Sequence, residues 1–205
     1  MNRCRRALVA PSAGLLILTL LSACGKEHPI HYYAINRPPV TEAPAKANGP
    51  VLLIGRIVTP EPLQDVRIRY RSGSNEAGAY EYHRWTERPD AMVRDLLVQR
   101  LRATGHYADV QEPPGSAVGD YLIRGKLYEF SEVDNPGIQT RVSLQLEIVS
   151  RKTGLGVWSR TFNRNQPVQG KTINDVVSSL DHNLQQVIAD SASAIDTFLS
   201  SQISR

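Results

Sequence analysis

The stretch from Arg141 to Val149 constrains the fold most, because its side chains alternate between apolar and polar. Four aliphatic residues fall on one side and four polar residues on the other: Val142, Leu144, Leu146 and Ile148 against Arg141, Ser143, Gln145 and Glu147. A strand with this period is buried on one face and solvated on the other. The stretch therefore predicts a sheet that is covered by a second layer on one side only.

Neighbouring segments extend this strand into an antiparallel meander. Lys152-Thr153-Gly154 predicts a tight turn, and the β-forming run 157–163 returns from it. The run 121–130 precedes the strand, beyond a loop that contains Asn135-Pro136-Gly137. Strands of about ten residues joined by short turns pair with their sequence neighbours.

A second group of strands lies upstream. The run 51–58 is continuously apolar apart from Gly55 and Arg56, which is typical of a central strand covered on both faces. The segment 66–71 then alternates arginine with apolar residues, and 79–85 returns after a glycine-containing turn as its hairpin partner. The arginines Arg67, Arg69 and Arg71 form a basic outer face. This face suits either anionic lipid head groups or an acidic partner, or is a solvated face that deters edge pairing.

Two amphipathic helices complete the prediction. The first spans about 89–104, with Pro89 in its first turn and Gly105 as its C-cap. The second spans about 172–201 and begins with a capping box of Thr172 and Asp175. Its apolar stripe is expected to pack on the sheet, with contacts to a partner or a coiled coil as the rival interpretation. The expected fold class is α/β, a single compact sandwich of a mixed, largely antiparallel sheet with two main helices.

The N-terminus has the parts of a secretory signal: three arginines, an apolar run, and small residues before Cys24. Leu21-Ser22-Ala23-Cys24 resembles the lipobox of bacterial lipoproteins. This resemblance implies a lipoprotein signal peptide over 1–23 and a mature chain beginning at Cys24, with S-diacylglycerol and an N-acyl group such as palmitate. An ordinary signal with an incidental cysteine is the alternative. A membrane-spanning helix is disfavoured, because the apolar run is short and contains Pro11 and Gly14.

Cysteine usage and charge exclude several classes of function. The other cysteine, Cys4, lies in the predicted signal, so the mature domain has no disulfide, redox pair or thiolate nucleophile. Three of the four net positive charges are Arg3, Arg5 and Arg6 of the signal, so the mature chain does not have the basic character of a nucleic-acid-binding protein. The proline-rich segment 24–50 predicts an acylated N-terminus and a tether, although 30–35 is apolar enough to pack as a short strand. Residues 51–205 are the predicted domain.

No arrangement of reactive residues in the sequence indicates an enzyme. The five histidines show no metal-ligand spacing: His28, His31, His83, His106 and His182. Asp181-His182 with Ser178 or Ser179 superficially resembles a hydrolase triad. These residues all lie within one amphipathic helix, however, and the sequence contains no GxSxG nucleophile elbow. We therefore expect no catalytic residues, no metal and no cofactor. The aromatic side chains in the segment 80–85 suit either the core or an interface: Trp85, Tyr80 and Tyr82.

Several motifs resemble the ABC-type transport auxiliary lipoprotein family, which includes the paraquat-inducible protein C group. The motifs are Tyr80-x-Tyr82-x-x-Trp85-x-Glu87-x-Pro89, Tyr107-Ala108-Asp109-Val110, Tyr121 to Phe130, and Trp158 to Phe162. The resemblance covers most of the chain and implies a compact α/β sandwich. In the family pattern a glutamate commonly follows the phenylalanine of this strand. The sequence departs from that pattern, because Ser131 stands between Phe130 and Glu132.

The resemblance implies a non-catalytic, membrane-anchored subunit of an ABC/MCE-type envelope system that moves lipids or other hydrophobic molecules between membranes. The implied partners are an MCE-type periplasmic protein and its ABC permease system, and self-association stays open. Gly25 follows Cys24, rather than the aspartate that commonly retains lipoproteins at the inner membrane. The expected location is therefore the outer membrane, with the domain facing the periplasm. A general structural or assembly lipoprotein of the outer membrane is the alternative function, and a periplasmic enzyme is a third.

Overall fold

The computed structural model describes residues 28–37, 39, 43–112, 118–134 and 136–203. In chain order the elements are β1 (His31–Tyr33), β2 (Val51–Val58), a 3-10 turn (Glu61–Gln64), β3 (Arg67–Ser72), β4 (Glu76–Trp85), α1 (Pro89–Thr104), β5 (Asp109–Gln111), β6 (Tyr121–Asp134), β7 (Ile138–Ser150), β8 (Gly156–Pro167) and α2 (Ile173–Ile203). The strands form one mixed sheet of eight, and two helices accompany it. The predicted α/β class is confirmed.

The long strand β6 organises the sheet. One of its edges pairs with β7 along its whole length, from Tyr121 opposite Ser150 to Asp134 opposite Ile138. Its other edge is shared: β2 runs parallel to residues 121–126, and β3 runs parallel to residues 131–134. Beyond β2 lies β5, and beyond β3 lie β4 and β1. Two separate strand groups therefore meet along one edge of β6.

The predicted meander and hairpin are confirmed, and the parallel pairings are an addition to the prediction. The meander β6–β7–β8 and the hairpin β3–β4 supply the three antiparallel pairings, which include the two longest in the sheet. Four shorter pairings are parallel: β1 with β4, β2 with β5, β2 with β6, and β3 with β6. The sheet is thus mixed, and its antiparallel character comes from its longest strands.

Both helices cover the same face of the sheet, with α1 against β2 and α2 against β7 and β8, and they also contact each other. The four aliphatic residues of β7 have no solvent exposure, as their alternation predicts. The apolar stripe of α2 belongs to the same core, which favours sheet packing over a coiled coil. Both helix ends follow the sequence signals. Gly105 closes α1 at a φ of 66°, and Thr172 and Asp175 exchange the capping hydrogen bonds of α2.

The segment that we expected to be a tether through residue 50 is packed on the domain over much of its length. The predicted short strand exists as β1, and Ile35 lies in the core. Further along, Lys46 donates its backbone N–H to the carbonyl of Tyr107 over 3.0 Å, and Ala108 donates to Pro50 over 3.1 Å. Burial of Ile35 and these backbone hydrogen bonds outweigh the proline content here.

Candidate interaction site

The polar residues of α2 that superficially resemble a triad are directed to separate partners. Ser179 is buried and lies 2.6 Å from the hydroxyl of Thr140. Asp181 accepts hydrogen bonds from the backbone of Asn36 and from Gln185, and His182 is exposed. These contacts attach α2 to β7 and to the N-terminal segment. They do not bring a nucleophile, a base and an acid together.

Asn183 and Tyr80 form further structural contacts with buried polar groups. Asn183 donates to both the carbonyl and the hydroxyl of Thr140, at 3.1 and 2.8 Å. Tyr80 donates to the buried carboxylate of Glu132 over 2.6 Å. Burial and then this hydrogen bond raise the pKa of the Tyr80 phenol well above its usual range. A phenol that holds its proton this strongly is a hydrogen-bond donor at neutral pH and does not supply a base.

Tyr107 and Asp196 repeat this arrangement between the loop after α1 and helix α2. The Tyr107 hydroxyl donates to Asp196, whose second oxygen lies 3.3 Å from Nδ1 of His106. Burial, and after it the carboxylate, raises the pKa of Tyr107. The contact joins the loop after α1 to α2, so it stabilises the packing of the two helices.

Pairing of β1 with β4 brings together two histidines that are distant in sequence. The rings of His31 and His83 stack with their centroids 5.3 Å apart, and Tyr33 Oη lies 2.9 Å from Nδ1 of His83. Burial, and then the charge of His31, lowers the pKa of His83. Sequence spacing gave no sign of this pair, because it depends on a parallel strand pairing. Among the described residues, no group of three histidine, cysteine or acidic side chains is placed to hold a metal ion.

Of the aromatic residues in the Tyr80–Trp85 motif, Trp85 belongs to the core. It is 1% exposed and packs against Phe130 at a centroid distance of 5.2 Å. Tyr82 is half-buried and contacts the ring of His28. The motif thus anchors the end of β4 under α1 and leaves Tyr82 next to the incoming N-terminal segment.

Neither helix covers the opposite face of the sheet, which we call the open face. Two grooves of about 510 and 350 Å³ lie on it, side by side across β6 and β7. The first groove is lined by charged and apolar side chains that include Arg56, Val58, Arg124, Lys126 and Glu147. The second lies between the 3-10 turn and β6 and is lined by residues that include Arg69, Arg71, Tyr128, Glu129 and Ser143.

Cations outnumber carboxylates on the open face. Six basic side chains lie there against two acidic ones: Arg56, Arg69, Arg71, Arg124, Lys126 and Arg141 against Glu129 and Glu147. Glu147 pairs with Arg124 at 2.8 Å, and Glu129 lies 3.6 Å from both Arg71 and Arg141. The arginine face predicted for β3 is therefore one part of a wider basic surface. Arg67 is neutralised by neighbouring Asp65, and Arg69 donates to the carbonyl of Pro62.

The helical layer has the opposite charge along α2. This helix carries four aspartates and no lysine or arginine: Asp175, Asp181, Asp190 and Asp196. Helix α2 thus carries only acidic charges, whereas the open face carries a surplus of basic ones. This asymmetry is invisible in the net charge of the chain, because the contributions largely cancel.

The geometry defines a two-layer α/β domain without an evident reaction centre among its described residues, and with a polar, uncovered sheet face. A family model described as "ABC-type transport auxiliary lipoprotein component" matches residues 33–192. The chain belongs to this family. No curated protein sequence matches it significantly.

Solved structures agree on the fold. Protein XCC0632 from Xanthomonas campestris, of family DUF330, is 20% identical with a TM-score of 0.74, over 85% of this chain and 98% of that one. An uncharacterized protein is 17% identical with a TM-score of 0.64, over 82% and 99%. The hypothetical protein CT253 from Chlamydia trachomatis is 7% identical with a TM-score of 0.53, over 75% and 99%. At these identities the likeness concerns the fold alone.

Cys24, the predicted acylation site, lies outside the described residues. Within the part of the chain that the structure describes, no helix is long and apolar enough to cross a membrane. Six residues, 25–30, separate Cys24 from the first residue of β1.

Proposed function

We propose that this chain is a non-catalytic subunit of an ABC/MCE-type envelope transport system that moves lipids or other hydrophobic molecules between membranes. The family match over residues 33–192 carries the proposal, because the family is described as an auxiliary lipoprotein of ABC-type transport. The contacts of Tyr80, Ser179 and Asn183 are consistent with it, since each joins two elements of the fold.

We further propose that Cys24 anchors the chain through S-linked diacylglycerol and an N-acyl group. Gly25 favours the outer membrane, with the domain in the periplasm. Two or more acyl chains are sufficient for stable anchoring, because each buried CH₂ contributes about 0.8 kcal/mol. Because the chain is packed from β1 onward, six residues at most separate the anchor from the domain, and six residues span at most about 20 Å.

Co-purification from envelope extracts tests the transport role. The chain, carrying a C-terminal affinity tag, is captured after mild crosslinking, and MCE-type protein is quantified by mass spectrometry. We expect strong enrichment of an MCE-type protein over an untagged control. An extract in which the MCE-type protein keeps its permease and ATPase but is absent from the captured material would contradict the proposal. Capture of outer-membrane assembly proteins instead would favour the structural lipoprotein.

A further inference from the structure

The open face combines a surplus of positive charge with exposed amphipathic side chains. Among the described residues, no carboxylate lies within 4.0 Å of the basic groups of Arg56 or Lys126. Lys126 places its ammonium 4.7 Å from the ring centre of Tyr128, which is 44% exposed. Val58, on the neighbouring strand, is 51% exposed. Basic groups beside exposed tyrosine and aliphatic side chains suit a surface of phosphate head groups above hydrocarbon.

The path of the N-terminal segment places this face near the proposed anchor. Tyr33 packs against the core, so the alternation of β1 turns Tyr32 towards the open side, where it is 60% exposed. Ile30, just before it, is 42% exposed. The chain leading back to Cys24 leaves from this edge of the sheet. With six residues between Cys24 and β1, the domain stays within about 20 Å of the lipid surface.

We infer that the open face docks on the anionic surface of the membrane that holds the Cys24 anchor. The inference rests on the lipid anchor of the proposed function. Because the anchor makes docking intramolecular, weak attraction is enough to orient the domain. Each basic residue near an anionic surface contributes about fivefold in the docking equilibrium. The aspartates of α2 lie on the opposite layer, so an orientation with α2 towards the membrane places negative side chains against its anionic surface.

Site-specific labelling of the intact lipoprotein tests this orientation. The mature chain has no cysteine besides Cys24, so an introduced cysteine is the single free thiol once Cys24 is acylated. One label is placed at Thr161→Cys, whose position in β8 pairs with Gln145 on the open face. The reference label is placed at Ser193→Cys, an exposed position on α2. Energy transfer to acceptor lipids is then measured in vesicles of phosphatidylcholine with or without phosphatidylglycerol.

Docking predicts that phosphatidylglycerol raises energy transfer at position 161 well above that at position 193. High salt should remove the difference, because screening shortens the reach of surface charge. Replacing Arg56→Glu and Lys126→Glu together should lower the docked-to-undocked ratio more than tenfold. The same charge change at Arg100→Glu and Lys171→Glu is the control and should leave the difference in place.

Equal energy transfer from both positions in anionic vesicles would overturn the docking. If the Arg56→Glu and Lys126→Glu pair then also abolished capture of the MCE-type protein, the open face would belong to an acidic protein partner. Failure of the intact chain to incorporate even into neutral vesicles would instead show that the anchor is missing. That result overturns the anchor of the proposed function, and the docking with it.

Discussion

The two faces of β7 differ in what they do for the molecule, although both come from one stretch of alternating residues. The aliphatic side chains on one face are fully buried under α2. The polar side chains on the other face bond to side chains of the neighbouring strands, as in the 2.6 Å contact between Ser143 and Asn163. Stability is therefore concentrated under the helices. The open face is consequently free to carry charge and to serve recognition.

The largest expected effect comes from truncating the covered face. Leu144→Ala should lower the free energy of unfolding by about 2–5 kcal/mol, because it removes a fully buried side chain and leaves a cavity. The adjacent Gln145→Ala, on the open face, should cost about 0.5 kcal/mol or less. Urea unfolding of both variants measures the difference. Similar losses from the two would mean that the open face is also packed.

A pair of asparagines gives the next contrast. Asn183→Ala removes two buried hydrogen bonds to Thr140 and should cost about 1–3 kcal/mol of stability. Asn163→Ala removes an exposed hydrogen bond to Ser143 and should cost no more than about 0.5 kcal/mol. Thermal unfolding of the two proteins at one pH checks this. The contrast fails if Asn163→Ala is the more damaging change.

The β1 edge should respond to pH through His83. Its pKa is lowered in the folded protein, so the unfolded chain binds more protons as the pH falls below about 6.5. Stability from this site is therefore present above pH 6.5 and lost on acidification. Protection factors of the amides at 31–33, which correct for the slower intrinsic exchange at lower pH, should fall modestly on acidification, and His83→Gln should weaken that dependence. An unchanged pH dependence in His83→Gln would assign the effect to another group.

The smallest expected effect on stability comes from the charges of the open face. Arg56→Glu and Lys126→Glu, separately, should change the free energy of unfolding by less than about 0.5 kcal/mol, because both side chains are exposed. Chemical denaturation of each variant checks this. A loss of several kcal/mol would show that these cations support the fold, and their use as docking probes would then need milder substitutions.

Much of the fold follows from local patterns in the sequence. The alternation of residues 141–149 predicted β7 and its buried face, and Gly105 and Thr172 marked helix ends where the structure has them. The order of the strands was not predictable in this way. Pairing of β2 and β3 along one edge of β6 depends on tertiary packing, which no local period encodes.

The candidate site was predictable only in fragments. The arginines of β3 gave a basic face, but its extension to Arg56 and Lys126 required the positions of β2 and β6. The stacked pair of His31 and His83 likewise required the parallel pairing of β1 with β4. The proline content of residues 24–50 favoured a long tether, because composition does not show that Ile35 and the backbone of Lys46 have partners on the domain.

The central claim, that a lipid on Cys24 fixes this domain to a membrane, is tested most directly by the intact mass of the processed protein together with fractionation of Cys24→Ala. We predict that the mass is that of a chain beginning at residue 24 with diacylglycerol and one further acyl group. We also predict that the Cys24→Ala variant is not found as an acylated protein in the membrane fraction, although its domain stays folded. A wild-type chain with a free Cys24 thiol, or a Cys24→Ala chain that is cleaved and still held in the membrane, would contradict the claim.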